Sequence, residues 1–238
     1  MIILASIALL YAAFAILDAV APARRLTPMR WWRARGTAAF LLYIGVSVGG
    51  PLFWDATLAQ HQLFDASQLP LWAQIAGGFL LLELGVYIWH RTMHAVEPLW
   101  RHLHQMHHSA ERIDIYSAFW FHPLDMIGWT LLSSLVLVGG FGIAVDAAIP
   151  ISLFSTFLAM FQHSNIRTPR WLGYVIARPE NHATHHARGV HGYNYGNISW
   201  FDMLFGTFRN PAHAPDATGF FDGASNKIGA LLIGRKIV

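Results

Sequence analysis

Histidine is the residue type whose placement could do chemistry here: fourteen occur in 238 residues, and most fall in clusters. His90 and His94 stand four apart. His104, His107 and His108 form an H-x-x-H-H run, and His182, His185 and His186 repeat it, with His163 between the two runs. Positions i, i+3 and i+4 share one side of a helix. The pair can therefore point at one ion, and each triplet makes a three-imidazole face. A lone histidine is ordinarily a hydrogen-bonded polar residue, but two identical triplets plus a pair indicate metal ligation. A first-row metal takes at most about six ligands and needs a free position to react. The nine clustered imidazoles are too many for one catalytic ion and suit two. Imidazole suits iron, copper, zinc and nickel, so the ligands alone leave the metal open. The chain has no cysteine, which excludes disulfides, thiolate metal sites and iron–sulfur clusters held by Cys.

Neutral imidazoles leave an ion's charge uncompensated, so carboxylates are expected behind them, orienting the rings. Glu83 lies in an apolar stretch where a charge is expensive and usually functional. Glu83, Tyr87, His90 and His94 fall on one helical stripe running toward the metals; the alternative is that Glu83 pairs with a neighbouring helix. Asp114, Asp125, Glu180 and Asp202 are weaker candidates. His61 and His213 are read as surface residues, and His102 and His191 are undecided.

The elements that must position these residues are read as membrane helices. The chain is 55% hydrophobic and 12% charged, against roughly 25% charged in a soluble domain. Crossing a bilayer takes roughly 20 apolar residues. Ile2–Ala21, Gly36–Trp54 (with a Gly49-Gly50-Pro51 break near its end) and Pro70–Trp89 qualify. Met126–Phe161 reads as a helical hairpin with arms Met126–Gly140 and Ala147–Gln162, short for a full crossing. The expected fold is all-α: a transmembrane bundle of three spans plus a helical hairpin, carrying a cytosolic His-rich helical cap. Residues 1–80 are its N-terminal helices, 81–210 its metal domain and 211–238 a tail. Five arginines follow the first span and no basic residue precedes it, the flank of an anchor rather than of a cleaved signal. With these spans all sixteen basic residues fall on one side. The positive-inside rule makes that side cytosolic and places the N-terminus outside. Nucleic acid is not needed to explain the net charge of +3.

The ordered motifs resemble the fatty acid hydroxylase / sterol desaturase superfamily. They are ELGVYIWHRTMH (83–94), HQMHHS (104–109), FHPLD (121–125), QHSN (162–165), ENHATHH (180–186), and NYG (194–196) followed by FDMLFGTF (201–208). The resemblance covers roughly 81–208. It implies integral-membrane, non-haem di-iron (Fe2+/Fe3+) enzymes that use O2 and external electrons to hydroxylate or desaturate a lipid. Metal ligation then maps onto His90, His94, His104, His107, His108, His182, His185 and His186, with His163 as an additional ligand. Glu83, Tyr87, His122, Asn194 and Asp202 are candidates for residues that orient them. Some members have a second His four residues after the position of His163; here it is Arg167, which leaves the ligand set one short. Phe201 replaces a Trp usual in the closing motif, and Trp200 precedes it.

The electrons must come from a separate donor, cytochrome-b5-like or ferredoxin-type, because no G-x-G-x-x-G unit is present. A basic face would steer an acidic donor. Phe119, Trp120 and Phe121 either line a lipid path or form an interfacial aromatic belt. A membrane zinc protease would need a general base where Arg91 stands, and a bis-histidine haem protein would need only a few histidines. The remaining alternative is a non-enzymatic metal-binding or transport protein, whose ligands would sit at mid-membrane. Sterol, fatty acyl and related lipids are all compatible substrates.

Overall fold

The computed structural model describes residues 2–237. Helices account for the architecture, and two isolated bridges, Ile176 with Ile198 and Ala187 with Thr218, replace any strand among the described residues. In chain order the helices are α1 (Ile2–Val20), α2 (Trp32–Gly49), α3 (Pro51–Gln60), α4 (Leu71–Ala95), α5 (Glu97–Leu99), α6 (Gln105–His108), α7 (Pro123–Ser134), α8 (Val145–His163), α9 (Pro179–His185), α10 (Ser199–Leu204) and α11 (Ile228–Leu232). Wider π-helical turns at Trp100–His104 and Leu135–Gly140 join α5 to α6 and extend α7.

Five segments are long and apolar enough to cross a bilayer: Ile3–Val20, Trp32–Gln60, Leu71–Ala95, Pro123–Gly140 and Val145–His163. At 1.5 Å per residue, the 19 residues of α8 span about 28 Å, close to the hydrocarbon thickness. Exposed Leu9, Ile16, Leu41, Leu52 and Phe53 form an apolar outer surface that water would not tolerate. This is a multi-pass integral-membrane architecture.

The second span runs further than Gly36–Trp54. Gly50 keeps right-handed helical angles (φ −57°, ψ −52°), and Pro51 sits at the first position of α3. A proline there gives up only a donor that a helix start leaves unpaired anyway, so the helical path continues to Gln60. Between α7 and α8 the chain reverses at Phe141–Ala144. Gly142 turns it with φ +59°, tight against the carbonyl of Phe64.

Hydrogen bonds fix the two ends of the bundle. Leu63, Phe64 and Ala66 donate to the carbonyls of Gly139, Gly140 and Phe141, closing the far end. At the other end, Arg112 holds Thr27 and Arg35 holds Asn226. Residues 211–237 pack against the near end as well. Arg101 donates to the Gly234 carbonyl, Gln105 donates to that of Arg235, and Leu231 is buried in a cluster with Trp32, Met106 and Trp120.

Gly36 lets α2 lie directly on residues 115–117: a Cβ there would collide with the Tyr116 carbonyl, whereas a Cβ on Gly45 meets nothing within 4 Å. In isolation, Gly to Ala favours a helix by up to about 1 kcal/mol. Gly36→Ala is expected to lower the thermal unfolding midpoint in detergent, and Gly45→Ala to leave it unchanged or raise it. Equal midpoints for the two variants would contradict this packing.

Candidate metal centre

Four stretches of chain deliver the imidazoles. α4 ends with His90 and His94, the π-turn and α6 carry His104, His107 and His108, α8 ends on His163, and α9 carries His182 and His185, with His186 as its cap. The nine rings sort into two groups, within each of which one ligand atom per residue lies within 4.8 Å of the others. The first group is His90, His94, His104, His108 and His185. The second is His107, His163, His182 and His186.

Each triplet is therefore divided, which corrects the expectation of a single three-imidazole face. His104 and His108 go to the first group and His107 to the second; His182 and His186 go to the second and His185 to the first. Helical geometry requires such a split. At 3.6 residues per turn, positions i+3 and i+4 point about 100° apart, to either side of i. An H-x-x-H-H run can thus face two neighbouring imidazole groups. The groups also differ in size. A pair on α4 serves the first group, whereas α8 contributes His163 alone, because Arg167 stands four residues on and is exposed.

Hydrogen bonding at Nδ1 shows that these rings suit a cation. His90 Nδ1 lies 2.7 Å from the Tyr195 carbonyl, His163 Nδ1 2.7 Å from that of Ala159, and His185 Nδ1 2.7 Å from that of Tyr193. A carbonyl only accepts, so the Nδ1 atoms carry the protons. His104 Nδ1 likewise donates to buried Asp125 at 2.9 Å. The Nε2 atoms of His90 and His104 are then both lone pairs, yet they stand 2.9 Å apart. A cation shared between them would make that approach favourable. Protonation is opposed where the rings lie outside the spans: burial first, then neighbouring imidazoles, hold His104, His107, His108, His182 and His186 well below the usual 6.5. Burial and the field of His90 do the same to His185, although the Tyr193 carbonyl pulls the other way. Further buried ring nitrogens have no partner, among them His94 Nε2, both nitrogens of His108 and His185 Nε2. Neutral imidazoles with free, converging lone pairs are the donor set of a borderline transition metal.

The other singled-out residues take distinct places. Glu83 accepts from Ser155 on α8 at 2.8 Å and from Asn197 at 3.2 Å, so it ties α4 to its neighbours and touches no imidazole. His122 caps α7, accepting from the Leu124 amide and holding the Leu232 carbonyl, away from both groups. Asp202 accepts from the Tyr195 and Gly196 amides and from Thr207, which also meets the Tyr87 hydroxyl. Asp202 and Tyr87 thereby hold the loop whose carbonyl orients His90. Asn194, with φ +57°, holds the Asn181 carbonyl and accepts from the Arg209 amide, anchoring the same loop to α9. Glu180 pairs with Arg178 and Asp114 with Arg112. His61 and His213 are exposed, and His102 lies against Gly234. His191 stacks beside Trp100 and His108 at 5.4 and 5.1 Å between ring centroids. The carbonyls of Tyr193, Tyr195 and Ala159 carried no side-chain signal by which sequence could have found them.

A cavity of about 360 Å³ reaches the rings from within the bundle. His90, His104, His107, His163 and His182 line its near end, and Leu82, Leu137, Val138 and Ala148 its walls and far end. Its α8 residues run from Ala148 to His163, about 22 Å of helix. Phe119 and Phe121 line it, whereas Trp120 is buried against Trp32.

Comparison with known proteins identifies the chain's relatives. A family model described as fatty acid hydroxylase matches residues 75–207. The chain is 31% identical over 163 residues to an ornithine lipid hydroxylase of Rhizobium tropici, covering 65% of this chain and 47% of that protein. It is 28% identical to a Delta(7)-sterol-C5(6)-desaturase of Nicotiana tabacum (56% and 48% covered) and 29% identical to sphinganine C4-monooxygenase 1 of Arabidopsis thaliana (73% and 67% covered). The chain thus spans about half the length of the first two. No solved structure matches it.

Two outcomes test the centre. Asp125→Asn removes the charge behind His104 and is expected to weaken metal binding roughly 10- to 100-fold, read by metal titration of purified protein; unchanged affinity would show that Asp125 does not support the site. The depressed imidazoles also set a pH dependence. Below 6.5 the unfolded chain binds protons that the folded imidazoles refuse. Stability is therefore full above that value and falls as pH drops through the window beneath it. Denaturant melts of metal-free protein from pH 7.5 to about 5 should show that decline, and a flat profile would contradict it.

Proposed function

Since the chain belongs to the fatty acid hydroxylase family, we propose that it is an O2-dependent oxidoreductase that hydroxylates or desaturates a C–H bond of a membrane lipid, with two iron ions held by the two imidazole groups. The observation that carries this reading is the apolar cavity ending on imidazoles of both groups. Bound there, the iron ions would supply redox chemistry with O2 that no side chain possesses. The protein's part is placement. Leu82, Val86 and Leu137 hold an apolar chain in line and exclude water, while Tyr195, Tyr193, Ala159 and Asp125 hold the imidazoles neutral with Nε2 directed inward. Hydroxylation by O2 places one oxygen atom in the product and one in water, and it consumes two electrons and two protons from outside.

Residues 81–210 form the oxidising unit in this reading, with 1–80 as its N-terminal membrane helices and 211–238 as a C-terminal tail, of which the described residues to 237 pack on it. The basic end carrying the imidazoles faces the cytosol and the N-terminus lies outside, as the positive-inside rule favours. A cytochrome-b5-like or ferredoxin-type donor would meet that basic end. A metal-transport role would need a polar path on both sides of the imidazoles; the membrane-side cavity presents mostly apolar surface, with Ser134, Ser152 and Thr156 among its lining, which favours the lipid-oxidation reading.

The test is lipid profiling of cells with and without the chain. Expression should convert a lipid to a hydroxylated or desaturated product. His107→Ala should abolish that product, and product formation by this variant would sink the assignment. Thr156→Phe, which fills the middle of the cavity, should lower turnover several-fold at full metal content, whereas His107→Ala should lose metal.

A further inference from the structure

A second cavity, of about 350 Å³, lies at the near end of the bundle, and arginine dominates its lining. Arg24, Arg167, Arg170 and Arg178 face it together with Asn165, Thr168 and His213. Its single carboxylate, Glu180, is already committed. It pairs with Arg178 at 3.2 Å and accepts from the Thr168 amide and hydroxyl. Arg178 is buried and holds the Asn210 side chain and the carbonyls of Thr168 and Pro211 as well. These two residues are structural.

The other three arginines are not neutralised. Among the described residues, none of Arg24, Arg167 and Arg170 forms an ion pair. Arg24 is half-buried and holds only the Pro215 carbonyl. Burial works against its charge, and Asp216, Asp114 and Glu180 offset this from a distance. Arg170 reaches the Asn210 carbonyl, and Arg167 is exposed. Arg24 alone of the three is partly withdrawn from water, so its unpaired guanidinium gains most from an anion that joins it to the exposed Arg167 and Arg170. Depth narrows the choice. Arg24 lies just past the end of α1 and Arg167 just past the end of α8, and Ala23 donates to the Asn165 carbonyl to lock the two together. That is the level of lipid phosphates, and anionic lipids are concentrated on the side where basic residues gather.

We propose that this cavity binds a phosphate group, supplied by an anionic phospholipid headgroup or by free phosphate, with Arg24, Arg167 and Arg170 as the recognising residues. A planar guanidinium offers paired donors to phosphate oxygens, and three of them line this cavity. The site is separate from the oxidation centre but mechanically tied to it. Residues 164–170 follow His163, and Ala183, which also lines the cavity, follows His182. A phosphate bridging these segments would brace both.

The experiment follows the thermal midpoint of the purified full chain against increasing dioctanoyl phosphatidylglycerol, dioctanoylglycerol or inorganic phosphate. The phosphatidylglycerol is expected to raise the midpoint saturably, and dioctanoylglycerol, which lacks the phosphate, to leave it unchanged. Arg24→Gln and the surface variant Arg167→Gln/Arg170→Gln should each weaken that binding by roughly 10-fold or more. A shift from the lipid alone assigns a headgroup site, and the same shift from inorganic phosphate alone assigns a free-anion site. Equal shifts from dioctanoylglycerol and phosphatidylglycerol, no shift from either phosphate source, or wild-type binding by both variants would overturn the proposal. Metal content and lipid product are read separately, so failure here leaves the oxidation reading standing, and the reverse.

Discussion

Acceptors placed behind the imidazole rings govern this molecule. At His90, His163 and His185 a backbone carbonyl accepts a hydrogen bond from Nδ1–H, and at His104 a buried carboxylate does so. Each ring must then present a lone pair at Nε2, and the fold aims these lone pairs at each other. A buried polar atom without a partner costs about 1–3 kcal/mol, and several such nitrogens crowd together here. A protein interior holds such an arrangement at a loss, and cations convert it into a gain. Much of the remaining structure serves those acceptors. Asp202, Thr207 and Tyr87 fix the Tyr195 loop, Asn194 clamps that loop to α9, and the turn after α8 is locked to the end of α1.

The membrane part meets the same requirement. α4 and α8 pack along each other and each ends in metal-group histidines at one level. Glu83 bonds Ser155 within this pair, which fixes how far one helix slides against the other. A slip of one turn, about 5.4 Å, would take His163 out of reach of His107 and His182.

Much of this was legible in residue types. Apolar length gave three spans and a hairpin whose arms read as short for a crossing, where the structure has five segments long enough to cross; the second runs on past Gly50 and Pro51, which keep helical backbone, and the third runs on to Ala95. Histidine spacing gave the nine rings. The division of each triplet follows from the 100° step between adjacent residues, although i, i+3, i+4 spacing reads most simply as a single face. The orienting groups were legible only in part. Asp125 could be named as a carboxylate near a histidine motif, but three of the four Nδ1 partners found here are backbone oxygens, which every residue carries. Glu83 shows the converse. A carboxylate on the right stripe proves to bond a neighbouring helix, because stripe position fixes direction and not partner.

The packing of residues 228–237 against the His104 segment has a bearing on how the molecule is made. Gln105 is held by the Arg235 carbonyl and by the Ile237 amide, and Trp100 packs near Ile237. These partners leave the ribosome more than a hundred residues apart. The helices can insert while synthesis proceeds, but the scaffold behind the first imidazole group closes only when residues 228–237 have emerged. Ions that arrive earlier meet a flexible, half-assembled set of ligands. Assembly order thus places metal loading after residues 228–237 have emerged.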